Sequence, residues 1–258
     1  MMLNVSELKV SEPVAGINAR DLCYRELNAR LREVVAGGAS KIDLVNVHGQ
    51  RYIGTDINKP VEIEIFGTPG NDLGAFMNGP RIVVRGSAQD GCGNTMNEGE
   101  IIVHGRAGDT VGLSARGGKI FIKGDVGYRA GIHMKEYKEK KPVIVIGGTA
   151  QDFFGEYMAG GVLVLLGLDL AKGESHRTKY VGTGMHGGVI YLRGNIADWQ
   201  LGREVGVAPA AAPDFAILNK YVVEFAAEFG YDADEILAGK FLRLYPRWLR
   251  PYGRLYAY

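Results

Sequence analysis

Aspartate or asparagine recurs after the corner glycines of this chain, at Asn71, Asp90, Asp109, Asp152 and Asp198. A carboxylate ladder could hold calcium, as nonapeptide β-rolls do, but their Gly-Gly-x-Gly-x-Asp spacing is absent. Asp and Asn also hydrogen-bond turn backbone, and the sequence favours that role. Gly182-Thr-Gly-Met-His-Gly187 matches G-x-G-x-x-G by letters. A dinucleotide fingerprint follows a strand and opens a helix. This one runs into Gly188 and an aliphatic strand, Val189–Leu192, so it reads as a chain corner that binds no phosphate.

The sulfur and imidazole groups point the same way. Met77, Met96, Met134, Met158 and Met185 hold one recurring position, with Ala115 in the same place. Soft-metal binding is conceivable, but a periodic methionine column is expected as an adaptable core ladder. Cys92 shares a column with Leu73 and Val111 and is expected as buried filler rather than a nucleophile. With Cys23 it makes two cysteines, too few for a four-cysteine iron–sulfur cluster. Among His48, His104, His133, His176 and His186 only His133 and His186 sit where stacking could pair them, and structural roles are favoured. No catalytic, cofactor-binding or metal residue is assigned. Acids are spread singly, unlike the clustered carboxylates of a polysaccharide-cleaving β-helix enzyme, which stays as a third reading.

These residues sit on a repeat. Short aliphatic runs each close on a glycine at Gly67, Gly86, Gly105, Gly124, Gly147, Gly167 and Gly194; the first four are 19 residues apart, and the next gaps are 23, 20 and 27. Four residues before each glycine stand Ile63, Ile82, Ile101, Ile120, Val143, Leu163 and Ile190. Two before it stand Ile65, Val84, Val103, Ile122, Val145, Leu165 and Leu192. Strand side chains alternate faces, so both columns point one way, inward. A unit this short buries its apolar face only by stacking on neighbours. The expectation is a right-handed parallel β-helix of about seven coils, near 30–35 Å long at ~4.8 Å per coil.

The intervening column holds Glu64, Val83, Ile102, Phe121, Ile144, Val164 and Tyr191. Alternation puts it outside, yet all but Glu64 are apolar, more than a soluble monomer leaves bare. Either the chain's own terminal segment or another polypeptide covers the stripe. Val83, Ile102, Phe121, Ile144, Val164 and Tyr191 are therefore the candidate partner interface.

Around the β-helix, expected at 41–206, lie a helical cap at 1–40 and a linker, helices and aromatic-basic tail at 207–258. Asp21–Ala36 reads as an amphipathic helix; Asp214 is expected to cap a helix running to Glu228, and Asp232–Ala238 a second. Residues 41–60 read as an irregular first coil. The 258 residues carry a net charge of +1, which implies no bias towards nucleic acid or membrane. No apolar stretch has membrane length, and the start lacks signal-peptide character. Two distant cysteines suggest a reducing, cytoplasmic setting. A homo-oligomer is possible.

Three segments, VGTGMHGGVIYLRG (181–194), FFGEYMAGGVLVLLG (153–167) and TVGLSARGGKIFIKG (110–124), resemble coils of the G-x-G-x-G domain of glutamate synthase. VHGQRYIGTDI (47–57) resembles the start of that domain, and the likeness covers about 40–205. It implies a β-helix without catalytic residues, which holds a glutamine amidotransferase subunit beside a synthase subunit carrying FMN and iron–sulfur clusters. The related coil-patterned subunit of formylmethanofuran dehydrogenase is the alternative. RELNARL (25–31) and the chain length look more like the free-standing glutamate-synthase type. Departures from the family pattern lie at Lys135–Pro142, at about Leu168–Tyr180 and in the C-terminal tail.

Overall fold

The computed structural model describes residues 14–248. In chain order it contains β1 (Ala15–Asn18), α1 (Tyr24–Ala36), β2 (Lys41–His48), β3 (Glu62–Thr68), β4 (Asn78–Val84), β5 (Glu98–Val103), β6 (Lys119–Ile122) and β7 (Val143–Ile146). There follow β8 (Ala159–Leu165), β9 (Gly187–Arg193), β10 (Val205–Pro209), α2 (Ala212–Phe229), α3 (Ala233–Leu237) and β11 (Phe241–Pro246). The strands form one 11-stranded sheet in the order β1-β2-β3-β4-β5-β6-β7-β8-β9-β11-β10. From β1 to β9 every pairing is parallel, so the chain is a β-solenoid. Ile42, Ile63, Ile82, Ile101, Ile120, Ile144, Leu163 and Ile190 are successive register partners. All are buried within one hydrophobic core, as is the parallel ladder from Leu44 to Leu192.

The corners are ladders too. The N–H groups of Gly74, Gly93, Gly112, Gly131, Gly155, Gly182 and Gly202 each donate to the carbonyl of Ile53, Leu73, Cys92, Val111, Ala130, Phe154 and Val181 respectively, at 2.8 Å. Glycine at Gly112 has a double cause: φ is +67°, and a Cβ there would run into the Ile144 Cδ1 methyl of the interior. The methionine column lies fully inside, at 0–1% exposure, which places Met77, Met96, Met134, Met158 and Met185 in the core.

One register expectation is corrected. Ile120 pairs with Ile144, not Val143, and Ile122 with Ile146. The closing glycine of that coil is Gly148: Gly124 accepts from its N–H, and it accepts in turn from Gly167. The run Val-Ile-Val-Ile-Gly-Gly is buried on both faces, so its letters carry no alternation to read.

The flanks contribute strands as well as helices. β1 adds a parallel strand ahead of β2, an eight-residue strand whose pairing with β3 shifts register between Val45 and Val47; the rest of the first coil, 49–60, is irregular as expected. β11 runs antiparallel between β9 and β10 and covers the last parallel edge. Residues 241–246 of the tail are thus a strand, and 249–258 lie outside the described residues. The insertion from Leu168 is pinned by His176, whose Nε2 bonds the Arg193 carbonyl at 2.9 Å, and by Gln200, which donates to the His176 and Thr178 carbonyls.

An alternating charge column runs along the outer face of the sheet. Lys41, Glu62, Arg81, Glu100 and Lys119 are direct cross-strand partners, with N–O separations of 3.0, 3.7, 3.4 and 2.5 Å. Half-exposed pairs contribute little singly, but a one-strand slip would set like charges opposite each other.

Candidate functional site

The outward column of the sheet is not an open surface. Register places Val83, Ile102, Phe121, Val145, Val164 and Tyr191 side by side. Each is 0–2% exposed and packs with Leu218, Val222, Phe225, Ala226 and Phe229 of α2. Of the two coverings the sequence allowed, the one present here is the chain's own helix. Ile144 does not belong to the column: it faces the interior, and Val145 takes its outward place. The one-residue shift described above is the physical reason.

Polar contacts hold α2 at both ends. The Tyr191 hydroxyl donates to Asp214 Oδ1 at 2.9 Å, and Arg243 lies 3.5 Å from the same oxygen. Burial and then the Asp214 carboxylate push the Tyr191 hydroxyl above its ordinary range. Near the other end Lys119 Nζ meets Glu224 at 2.8 Å and Arg81 meets Glu228 at 2.6 Å, so the helix plugs into the charge column. The Asp214 side chain also accepts from the Ala211 N–H, and Gly230 closes the helix with φ +75°.

The corner carboxylates bridge coils. Asp90 Oδ1 accepts from the Asp109 N–H and Asp109 Oδ1 from the Tyr128 N–H, both at 2.8 Å. Asp125 accepts likewise from Thr149, and Asp152 from Lys179. The expected turn role thus reaches the next coil's backbone rather than the residue's own. Among the described residues no group of three or more His, Cys, Asp or Glu could hold a metal ion. His133 stacks on Tyr157 and His186 Nδ1 lies 3.2 Å from the Gly184 carbonyl; the two histidines do not pair. Cys92 is fully buried, and burial pushes its thiol up to about 12. Gly182 and Gly184 have φ of 65° and 73° and lead into β9, a strand and not a helix.

A feature missed in the sequence lies on the corner face. Two columns of left-handed residues flank the corner glycines. One runs Tyr52, Asp72, Gly91, Thr110, Arg129, Phe153, Tyr180, with φ between 56° and 70°; the other runs Asp56, Phe76, Thr95, Ser114, His133, Tyr157, Gly184, between 52° and 73°. Side chains stack along them. Arg129 lies 4.7 Å over the Phe153 ring, and Phe153 stacks on Tyr180 with centroids 4.9 Å apart. In the second column His133 and Tyr157 are 5.4 Å apart and nearly coplanar in orientation, at 7°. Arg129 also pairs with the buried Glu156 carboxylate. Beyond Tyr180 a cleft of about 870 Å³ opens between Trp199, Glu204, Val207 and Arg247. The signal available in the sequence was bulky aromatics at positions where the repeat elsewhere uses Gly91 and Gly184.

Comparison with known proteins follows the same outline. The family model described as GXGXG motif matches residues 39–250. An uncharacterized protein of Methanocaldococcus jannaschii is 49% identical over 248 residues, 93% of this chain and 95% of that protein.

Proposed function

The chain belongs to the GXGXG motif family, and on that footing we propose that it is the non-catalytic scaffold subunit of a glutamate synthase-like complex. The observation that carries the reading is the family match across 39–250, which takes in every strand from β2 to β11. The architecture supports it: the interior is filled from Ile17 to Leu244 by apolar side chains, mostly aliphatic with the methionine column, and the sheet's outer face is taken by α2. A rigid rod closed in this way suits holding other subunits at fixed separation. In this reading a glutamine amidotransferase subunit frees ammonia. A synthase subunit carrying FMN and iron–sulfur clusters would join that ammonia to 2-oxoglutarate, with two electrons from an external reductant and loss of water. This chain supplies geometry. No helix among the described residues is long and apolar enough to cross a membrane.

Purified alone, the chain is expected to hold no stoichiometric flavin and to turn over neither glutamine nor 2-oxoglutarate. Visible absorbance and a coupled glutamate assay read this directly. A yellow chain, or glutamate formed by the chain by itself, would refute the scaffold reading.

A further inference from the structure

Between β8 and β9 the chain leaves the coil and returns to it. From Asp169 to Arg177 a single side chain is buried, that of His176, at 2% exposure. We propose that the excursion from Leu168 to Tyr180 is an acid-released strap, closed while the His176 imidazole is neutral and opened when that ring takes up a proton. The strap would work in the same way whatever subunits the chain holds.

The seat of the ring is made of backbone. Gly167 has φ +56°, and a Cβ there would lie 2.6 Å from His176 Cε1, so the ring rests directly on the coil. Nε2 lies 2.9 Å from the Arg193 carbonyl oxygen. A carbonyl only accepts, so Nε2 carries the hydrogen and Nδ1 of the neutral ring is bare. Nδ1 is buried and has no hydrogen-bond partner. A proton added there creates a charged donor with nothing to receive it.

No neighbouring charge offsets that cost. On the strap Asp169, Lys172 and Lys179 are exposed, and Arg177 pairs with Glu174 at 3.0 Å. Asp152, under the strap, accepts from the Lys179 N–H at 2.9 Å. At the end of β9 Arg193 turns its Nε to the Ile236 carbonyl at 3.1 Å, and Lys240 Nζ reaches Asn195 at 3.3 Å. Asp198, near Gln200, is exposed. None of these groups shifts the ring: burial lowers its proton affinity, and only the Arg193 carbonyl opposes that.

Two buried polar side chains complete the hold. Gln200 donates to the His176 and Thr178 carbonyls at 2.8 and 2.7 Å, and the Thr178 hydroxyl donates to the Gln151 carbonyl at 2.7 Å. The His176 N–H donates to the Asn195 carbonyl at 3.0 Å. Lifting the strap gives all these groups to water and frees the ring to charge. Opening therefore takes up a proton. The closed form is fully favoured above the ordinary imidazole pKa of about 6.5 and weakens as the pH falls below it.

The test follows amide hydrogen exchange of the full chain at about pH 7.5 and about pH 5.5, with protection corrected for the intrinsic exchange rate at each pH. Protection across 168–180 should fall about ten-fold at the lower pH, the factor given by one protonation with a free pKa of about 6.5. β4 to β6 should keep theirs. His176→Gln retains an N–H at the reach of Nε2 and cannot take the proton, so its strap should stay protected at both pH values. Unchanged wild-type protection overturns the proposal, and so does a His176→Gln strap that loosens with acid as the wild type does. An equal loss in β4 to β6 also overturns it, since the whole chain then opens. If His176→Gln leaves the strap open at both pH values, the NMR titration of the wild-type ring decides. Charging in step with the loss of protection supports the strap; charging while the strap is still protected overturns it.

Discussion

Ile101→Asp is expected to leave the chain unfolded. Ile101 has no exposed surface and lies between Ile82 and Ile120 in the central ladder. Its Cδ1 would meet any Cβ placed at Gly74 or Gly93, so the interior around it is closed by backbone on the opposite wall. A carboxylate there has no partner and no water. Losing the buried isoleucine costs about 2–5 kcal/mol in lost apolar burial and cavity formation together, and an unpaired buried charge adds several more. The total is of the order of a whole domain's stability, about 5–15 kcal/mol. Circular dichroism and a denaturant titration would read it. A variant with an unchanged unfolding midpoint would contradict the stacked-coil account. Ile101→Val, which removes one methylene, should stay folded with a loss of about 1 kcal/mol.

The second large effect is expected at the helix cover. Phe225 is fully buried, with its ring 6.0 Å from Phe121 in an edge contact and 4.7 Å from Phe229. Phe225→Asp removes a contribution of about 3–5 kcal/mol and puts a charge against the stripe of Val83, Ile102, Phe121, Val145, Val164 and Tyr191. The solenoid interior is untouched by this change. The expected result is a chain whose coils persist while α2 lifts, with strong binding of a hydrophobic dye and concentration-dependent association. Hydrogen exchange should show lost protection in Ala212–Phe229 and retained protection in β4 to β6. A monomeric variant that binds no dye, with α2 still protected, would mean that the helix is not what keeps the stripe from water.

The ladder of coils was legible because two periods coincide. Residues at i and i+2 within a strand are both aliphatic, and the pattern recurs at 19 residues from Ile63 to Ile120. That combination leaves one inward face and fixes the register. Legibility ended where burial is two-sided. At Val143–Ile146 all four side chains are buried, so nothing distinguished Ile144 from Val145, and the insertion at Lys135–Pro142 removed the 19-residue ruler. The outward stripe was readable as a surface needing cover, but two coverings were equally open. What tips the balance is a set of long-range contacts, Arg81 with Glu228, Lys119 with Glu224 and Tyr191 with Asp214, which no local pattern announces. β11 went unread because the tail's aromatic and basic residues look alike as strand or loop until β9 offers it an edge. The left-handed aromatic columns were hidden for a different reason. Conformation at a corner is set by the stack, and tyrosine is not a residue that signals a positive φ.

The claim that this chain holds a glutamate synthase-like assembly together is tested most directly by leaving it out. The amidotransferase subunit and the FMN and iron–sulfur subunit would be co-expressed with and without it. The size of the assembly and the formation of glutamate from glutamine and 2-oxoglutarate, with a supplied two-electron reductant, would then be measured on the same preparations. The account predicts one complex containing this chain in fixed stoichiometry, with glutamine-dependent synthesis, and separated subunits without coupled synthesis when the chain is omitted. A complex of equal size and equal glutamine-dependent activity lacking this chain would contradict it.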